Sequence, residues 1–318
     1  MVSASSNSKP VSSISLDLDN KWSFMKTHGD SGWEKFPSYL DIVIPTILDV
    51  LEELNLKITF FIVGQDAAIK SNQEFLKQIT ERGHETGNHS FHHDVWLNLY
   101  PKSQIKRDIL DAEEAIFKVV GQRPVGFRGP GFVWNSAILE VLAENNYLYD
   151  ASTLPTFVGP LARGYLYLKS DFTKEEKEKR KRLFGSFKDG LRPIKPYYWK
   201  IGHTFNLLEI PVTTIPFIKI PFHLSYLLYL SRFSKFLMLF YLEMAIFLCR
   251  VTGTNPSFLL HPLDLVSAEK IPELSFFPGM DLSGYKKRKI FTRVLKAISR
   301  HFKLVDMSTH ARLVLNNS

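Results

Sequence analysis

Apolar and polar residues alternate along residues 14–18, and short apolar runs recur at 58–63, 125–128, 207–212 and 258–261. Short runs of this kind predict β-strands, the alternating one with a buried and a polar face. Between them, over 39–55, 72–82, 101–120 and 136–145, apolar positions recur every three or four residues, which predicts helices with one apolar side. Gly83 and Gly121 stand where two of these helices should end, because glycine accepts the left-handed turn that closes a helix. Strands interleaved with helices predict an α/β fold.

Two stretches depart from that rhythm. Residues 161–200 contain the charge run Lys174-Glu175-Glu176-Lys177-Glu178-Lys179-Arg180-Lys181-Arg182, then an aromatic and proline-rich segment with Tyr197, Tyr198 and Trp199. A charge run reads first as a solvated helix. Residues 215–250 are rich in Phe, Leu and Tyr, but the uncharged run between Lys219 and Arg232 is well short of the ~20 residues that cross a bilayer. Placed on one helix, Ser225, Arg232, Lys235, Glu243 and Arg250 gather in a polar stripe, and the remaining circumference is apolar. Two readings stand: helices packed on the core, or an element lying in a membrane interface. The net charge of +8 favours an anionic partner, with Lys179–Arg182 and Lys286-Lys287-Arg288-Lys289 as basic contacts. No nucleic acid is expected, since no recognised binding module accompanies the charge.

The chemistry lies at the strand ends. Asp17 and Asp19 share one side of the first strand, where two carboxylates repel unless a cation or a proton separates them. His89 and His93, four residues apart, would point the same way on a helical turn. One carboxylate and two imidazoles leave a coordination position open on a divalent metal, and the second carboxylate remains as a base, which suits hydrolysis by metal-bound water.

These residues carry a resemblance. The set Asp17-Leu18-Asp19, His89-Ser90-Phe91-His92-His93, Arg128-Gly129-Pro130-Gly131, Asp150-Ala151-Ser152 and Leu259-Leu260-His261 is similar, in order, to the five motifs of the polysaccharide deacetylase (NodB-homology, carbohydrate esterase family 4) superfamily. Gly131 and Pro155 stand where that family usually has aromatics lining its substrate groove. The resemblance implies a distorted (β/α)7 barrel spanning 11–316, behind a flexible N-terminus (1–10) and with additions at about 161–200 and 215–250. It implies metal ligation, most simply of zinc, by Asp19, His89 and His93. Asp17 would be the general base and Arg128 its orienting partner. His261 would be the general acid, oriented by Asp150. The Gly131 N–H would face the oxyanion, and Leu259 would line a pocket for the acyl methyl. The implied activity is removal of an acetyl or formyl group from an amino sugar, in a polysaccharide or lipid-linked. The segment Glu209-Ile210-Pro211-Val212-Thr213 resembles one in deformylases of undecaprenyl-linked aminoarabinose. An amidase acting on a small non-sugar C–N bond and a non-catalytic carbohydrate- or membrane-binding homologue are the alternatives.

The chain, 318 residues with 45% hydrophobic content, can bury a full core. Its one cysteine, Cys249, rules out an intrachain disulfide and fits a reducing compartment. The first ten residues are polar and serine-rich, without the apolar core of a signal peptide. The expected location is therefore cytoplasmic, with peripheral contact at the inner face of the membrane through 215–250.

Overall fold

A computed structural model of the chain describes residues 9–169, 172–181, 183, 185–202 and 205–316; most of the N-terminal stretch expected to be flexible lies outside them. The strands are β1 (Val11–Asp17), β2 (Thr59–Ile62), β3 (Glu85–Asn88), β4 (Gly126–Phe127), β5 (Tyr149–Asp150), β6 (Tyr197–Ile201), β7 (Phe205–Glu209), β8 (Ser257–Leu260) and β9 (Lys303–Val305). The helices are α1 (Lys21–His28), α2 (Leu40–Glu53), α3 (Gly64–Ala68), α4 (Lys70–Glu81), α5 (Lys102–Val120), α6 (Ser136–Glu144), α7 (Gly159–Lys169), α8 (Lys174–Lys179), α9 (Leu224–Phe233), α10 (Lys235–Thr252), α11 (Gly284–His301) and α12 (Met307–Asn316).

The sheet runs β6-β7-β5-β4-β3-β2-β1-β8, with β9 also on β1; every pair is parallel except β6–β7. Parallel neighbours need crossover connections, and the helices supply them. Beyond β7 the chain meets β8, where the Thr213 N–H donates to the Ser257 carbonyl (3.0 Å) and the Ser257 N–H to Thr213 Oγ1 (2.6 Å). Seven parallel strands, β1 to β5 with β7 and β8, thus make a distorted (β/α)7 barrel, and β6 extends one edge.

Alternation on β1 separates the two sides of this wall. Ile14 and Leu16 pack outward with Phe60, Ile62, Phe258 and Leu260 in the main core, under helices carrying Ile44, Leu48, Leu242, Ile246 and Val294. Ser13, Ser15 and Asp17 face inward. Ser13 Oγ meets His310 Nδ1 at 2.8 Å, so α12 plugs the N-terminal end of the barrel. Chemistry is left to the other end.

The stretch 215–250 is not one continuous helix. Ser234 takes an extended backbone and its hydroxyl accepts the Leu237 N–H, ending α9 and capping α10. The single polar stripe expected over 225–250 therefore breaks. Leu227, Leu228, Met238, Leu242 and Ile246 enter the main core, whereas Phe233, Phe236, Phe240 and Phe247 are 69%, 79%, 58% and 63% exposed.

Candidate active site

β1 ends at Asp17, and the chain then turns through Asp19 and Asn20 into α1. Asn20 caps that helix, and its side-chain amide donates to Asp66 (2.7 Å), as does the Trp22 indole N–H (2.8 Å). The Tyr39 hydroxyl donates to the Asp19 carbonyl oxygen. These contacts fix the backbone that presents Asp19.

The two histidines come from the loop after β3. That loop is not helical, as the i,i+4 spacing suggested: Ser90 and His93 both take positive φ (64° and 52°), and this left-handed path brings the rings together. Asp19 Oδ1 lies 2.8 Å from His93 Nε2 and 3.3 Å from His89 Nε2. Burial alone would raise the Asp19 carboxyl, but the facing His93 and His89 hold it far below the usual carboxylate range. Burial opposes the charged form of His89, and the hydrogen bond it donates to Asp19, together with the charges of Asp17 and Asp19, more than offsets it, so this imidazole is shifted upward.

Whether this trio suits a divalent cation is decided by its donors. Asp19, His89 and His93 each bring a ligand atom to within 4.8 Å of the others. The His89 Nδ1–H donates to the Arg128 carbonyl oxygen (2.6 Å), which leaves Nε2 with its lone pair toward Asp19. Two imidazole nitrogens and one carboxylate facing a shared space, all nearly buried, fit a metal such as zinc.

Arg128 joins this trio to the second aspartate. Its guanidinium donates through Nη1 to Asp17 Oδ1 (2.6 Å) and Ser15 Oγ (2.9 Å), and through Nε to the Ala151 carbonyl (3.0 Å). It is fully buried over the Phe61 ring. Asp17 is thus oriented by the arginine that also fixes His89.

His261 reaches the same rim from β8. Leu260 pairs in register with Leu16, so Asp17 and His261 are the next residues on adjacent strands, both on the inward side. Asp150, expected to orient His261, has its described contacts elsewhere. Asp150 stands opposite Glu209 across β5 and β7, accepts the Ser152 hydroxyl (2.5 Å), and is shifted upward by burial. The acid beside His261 is Asp264, 4.0 Å from Nδ1, and its carboxylate accepts the His261 backbone N–H (2.9 Å). Ser225 Oγ lies 3.3 Å from the same ring nitrogen. Asp264 could have been read from the sequence as the partner of a capping box around His261-Pro262-Leu263-Asp264. Glu209 had no such signal. Burial and the neighbouring Asp150 push its carboxyl well above the normal range.

Gly131 sits at φ 60° in the turn Pro130–Phe132 after β4. Leu259 is buried with Leu154 and Val212, against Phe132, in a small apolar cluster.

A family model described as polysaccharide deacetylase matches residues 30–149, a stretch that includes His89, His93 and Arg128. Over those residues the chain resembles the polysaccharide deacetylase superfamily. It is 28% identical over 139 residues to the peptidoglycan-N-acetylglucosamine deacetylase of Bacillus cereus, covering 44% of this chain and 61% of that protein. Over 161 residues it is 26% identical to the peptidoglycan deacetylase of Helicobacter pylori, with 50% and 54% covered. The chain thus spans little more than half the length of these two curated relatives. Among solved structures, a candidate polysaccharide deacetylase from Mycobacterium smegmatis superposes with a TM-score of 0.62 at 20% identity, over 99% of this chain and 93% of that one. Puue allantoinase superposes with a TM-score of 0.56 at 14% identity, covering 96% and 90%. At such identities the structural likeness shows the fold alone.

Proposed function

We propose that this chain is a metal-dependent hydrolase that removes an acetyl or formyl group from an amino sugar. The observation that carries the reading is the junction at Arg128, whose side chain holds Asp17 while its carbonyl fixes His89, next to Asp19 and His93. A divalent ion held by Asp19, His89 and His93, most simply zinc, would acidify water and polarise the acyl carbonyl. Asp17 takes a proton from the attacking water as the new C–O bond forms. The carbonyl oxygen, now anionic, faces the Gly131 N–H. His261 then gives a proton to the nitrogen as the C–N bond breaks, releasing free amine and carboxylate. Asp264 and Ser225 hold the imidazole in place for that transfer. A pseudoenzyme would have no need of both a held base and a held acid, which disfavours the non-catalytic alternative.

The finer reading is a lipid-linked sugar handled at a membrane surface. Its support is the exposed Phe233, Phe236, Phe240 and Phe247, beside the exposed basic face of α11 with Lys286, Arg288 and Lys289. Lys287 is not part of that face: it is buried, and its ammonium donates to the Leu263 and Val266 carbonyls. Among the described residues no helix is long and apolar enough to cross a membrane, so the contact would be peripheral. Anionic lipid of the cytoplasmic leaflet matches the charge.

The test is release of acetate or formate from acylated amino sugars, free, polymeric and lipid-linked, with Asp17→Asn as control. Release that vanishes in the control supports the reading. Turnover of small non-sugar amides alone would replace it with the amidase alternative.

A further inference from the structure

The charged stretch after β5 does more than decorate the surface. The described residues of the segment 172–192 are tied in turn to the loops that follow β1, β3, β4, β5 and β7, all at the catalytic end of the barrel. Arg180, almost wholly buried, donates to the Lys26 carbonyl through Nη2 (3.0 Å) and to the Thr27 carbonyl through Nε (3.3 Å). Its guanidinium also lies over the rings of Phe172 (4.2 Å) and Trp96 (5.2 Å). Leu183 is buried against Gly131, close enough that a Cβ on that glycine would stand 2.5 Å from Leu183 Cδ1. Arg163 holds the Leu183 and Gly185 carbonyls (2.9 and 2.7 Å). Further on, Gly190 rests on the Phe157 ring, and Lys219 donates to the Gly190 and Arg192 carbonyls (2.6 and 2.8 Å).

A groove for a long polymer must be open at both ends. Here a strap crosses from α1 to the loop after β7, and Leu183 occupies the space over Gly131. The segment after β8 is itself tied to α1, where Phe24 meets Phe277 and His28 stacks on Phe276. Among the described residues, the flank left without such ties is where β8 meets α9, with His261, Ser225 and the half-buried Tyr226. That flank leads along α9 to the exposed Tyr229 and Phe233.

We propose that the segment 172–192 determines specificity: it closes one side of the site, so that the acylated sugar must be the terminal residue of its chain and enters from the β8 flank. This rests on the deacylase reading above. The bond broken is the same amide C–N bond, with water as co-reactant. What changes is which residue of the glycan reaches it.

The experiment uses the full chain with three probes: a hexamer of N-acetylglucosamine, and octyl glycosides of N-acetyl- and N-formylglucosamine. Products are sequenced by mass spectrometry to locate each free amine. Release from either octyl glycoside, with the hexamer attacked only at an end residue or not at all, is the expected result. Arg180→Ala and, separately, the milder Leu183→Ala should raise the ratio of internal to terminal deacetylation about tenfold by loosening the strap. Internal residues of the hexamer processed by the native chain as fast as terminal ones would overturn the proposal and leave the deacylase reading intact. No release from any probe would overturn both.

Discussion

At the scale of single residues, the site is a short chain of contacts from Ser15 through Arg128 to His89. Asp17 has one side-chain partner of opposite charge, Arg128 at 2.6 Å, which keeps a carboxylate poised at the rim. Asp17→Asn should leave the metal trio whole and lower turnover by roughly 10²–10⁴, the usual worth of a general base. Metal content measured beside the rate separates this from a collapsed site. Asp264→Asn should lower turnover while Asp150→Asn should act mainly on folding stability, because the former touches His261 and the latter touches Glu209 and Ser152. Equal effects on turnover, with no change in urea midpoint for Asp150→Asn, would count against the reassignment. Asp17, Asp19, His89, His93, Arg128 and His261 were legible in the sequence because the motifs name them. Asp150 was assigned to His261 from motif order, which does not record the side chain, here Glu209, that a neighbouring strand sets opposite it. The segment that begins at Glu209 was singled out in the sequence, but its pairing with Asp150 was not.

At the scale of elements, the loop carrying His93 is held by α1 from the side. The Lys26 ammonium donates to Asp94 (2.6 Å) and to the His92 carbonyl (2.8 Å), beneath the rings of Trp22, Trp33 and Trp96. Lys26→Met leaves the Asp94 charge buried without its cation, which should cost roughly 3–5 kcal/mol in stability, read from denaturant unfolding. Asp66, between Asn20 and Trp22, gives a pH dependence. Burial raises its carboxyl from the ordinary 3.8 to about 7. The folded state therefore holds a proton that the unfolded state has lost between these values. The contribution of Asp66 to stability should fall as pH rises from about 4 to 7, by an amount on the order of a few kcal/mol. Glu85, also raised to about 7, acts in the same direction, and the buried His84 and His310, lowered to about 4, act against it. Asp66→Asn, which cannot ionise, should remove the Asp66 contribution, so that stability relative to the native chain rises between pH 4 and 7 in melting curves recorded with chelator present; a difference between the two that does not change with pH would contradict it.

Elements with strong periodicity, such as α5 and α6, were legible to within a residue or two. β3 was not, because Glu85-Thr86-Gly87-Asn88 offers almost no apolar signal, and Gly87 is there so that the Phe61 ring can lie against its backbone. β4, only two residues long, was caught inside the apolar run 125–128, whereas β5 is two residues with no pattern to mark it. α9 and α10 were seen as one stretch, since only the cap at Ser234 separates them.

At the scale of the whole molecule, polarity is arranged by position. The barrel interior carries Ser13, Ser15, Asp17 and Arg128, and the outer wall is apolar. Among the described residues no element covers the exposed phenylalanines of α9 and α10, and an uncovered row of large apolar side chains marks an interaction surface. Phe236→Ser combined with Phe240→Ser should lower binding to anionic phosphatidylglycerol vesicles by tenfold or more, as judged by co-sedimentation, because each buried phenyl contributes about 1.5–3 kcal/mol. Both side chains are exposed, so the melting temperature should hold. Binding equal to the native chain would direct the search to another partner. The α/β class was legible from period alone, and the barrel only through the motifs, since curvature and closure depend on contacts such as Thr213 with Ser257 that no local pattern announces.

All of this requires that Asp19, His89 and His93 bind a cation. Elemental analysis of the purified chain after zinc loading and desalting, beside His89→Ala and His93→Ala, measures that directly. The expected result is roughly one bound equivalent in the native chain, with the variants lower by about tenfold or more. A native chain that retains no divalent ion, or variants that retain as much as it does, would contradict the assignment of this site.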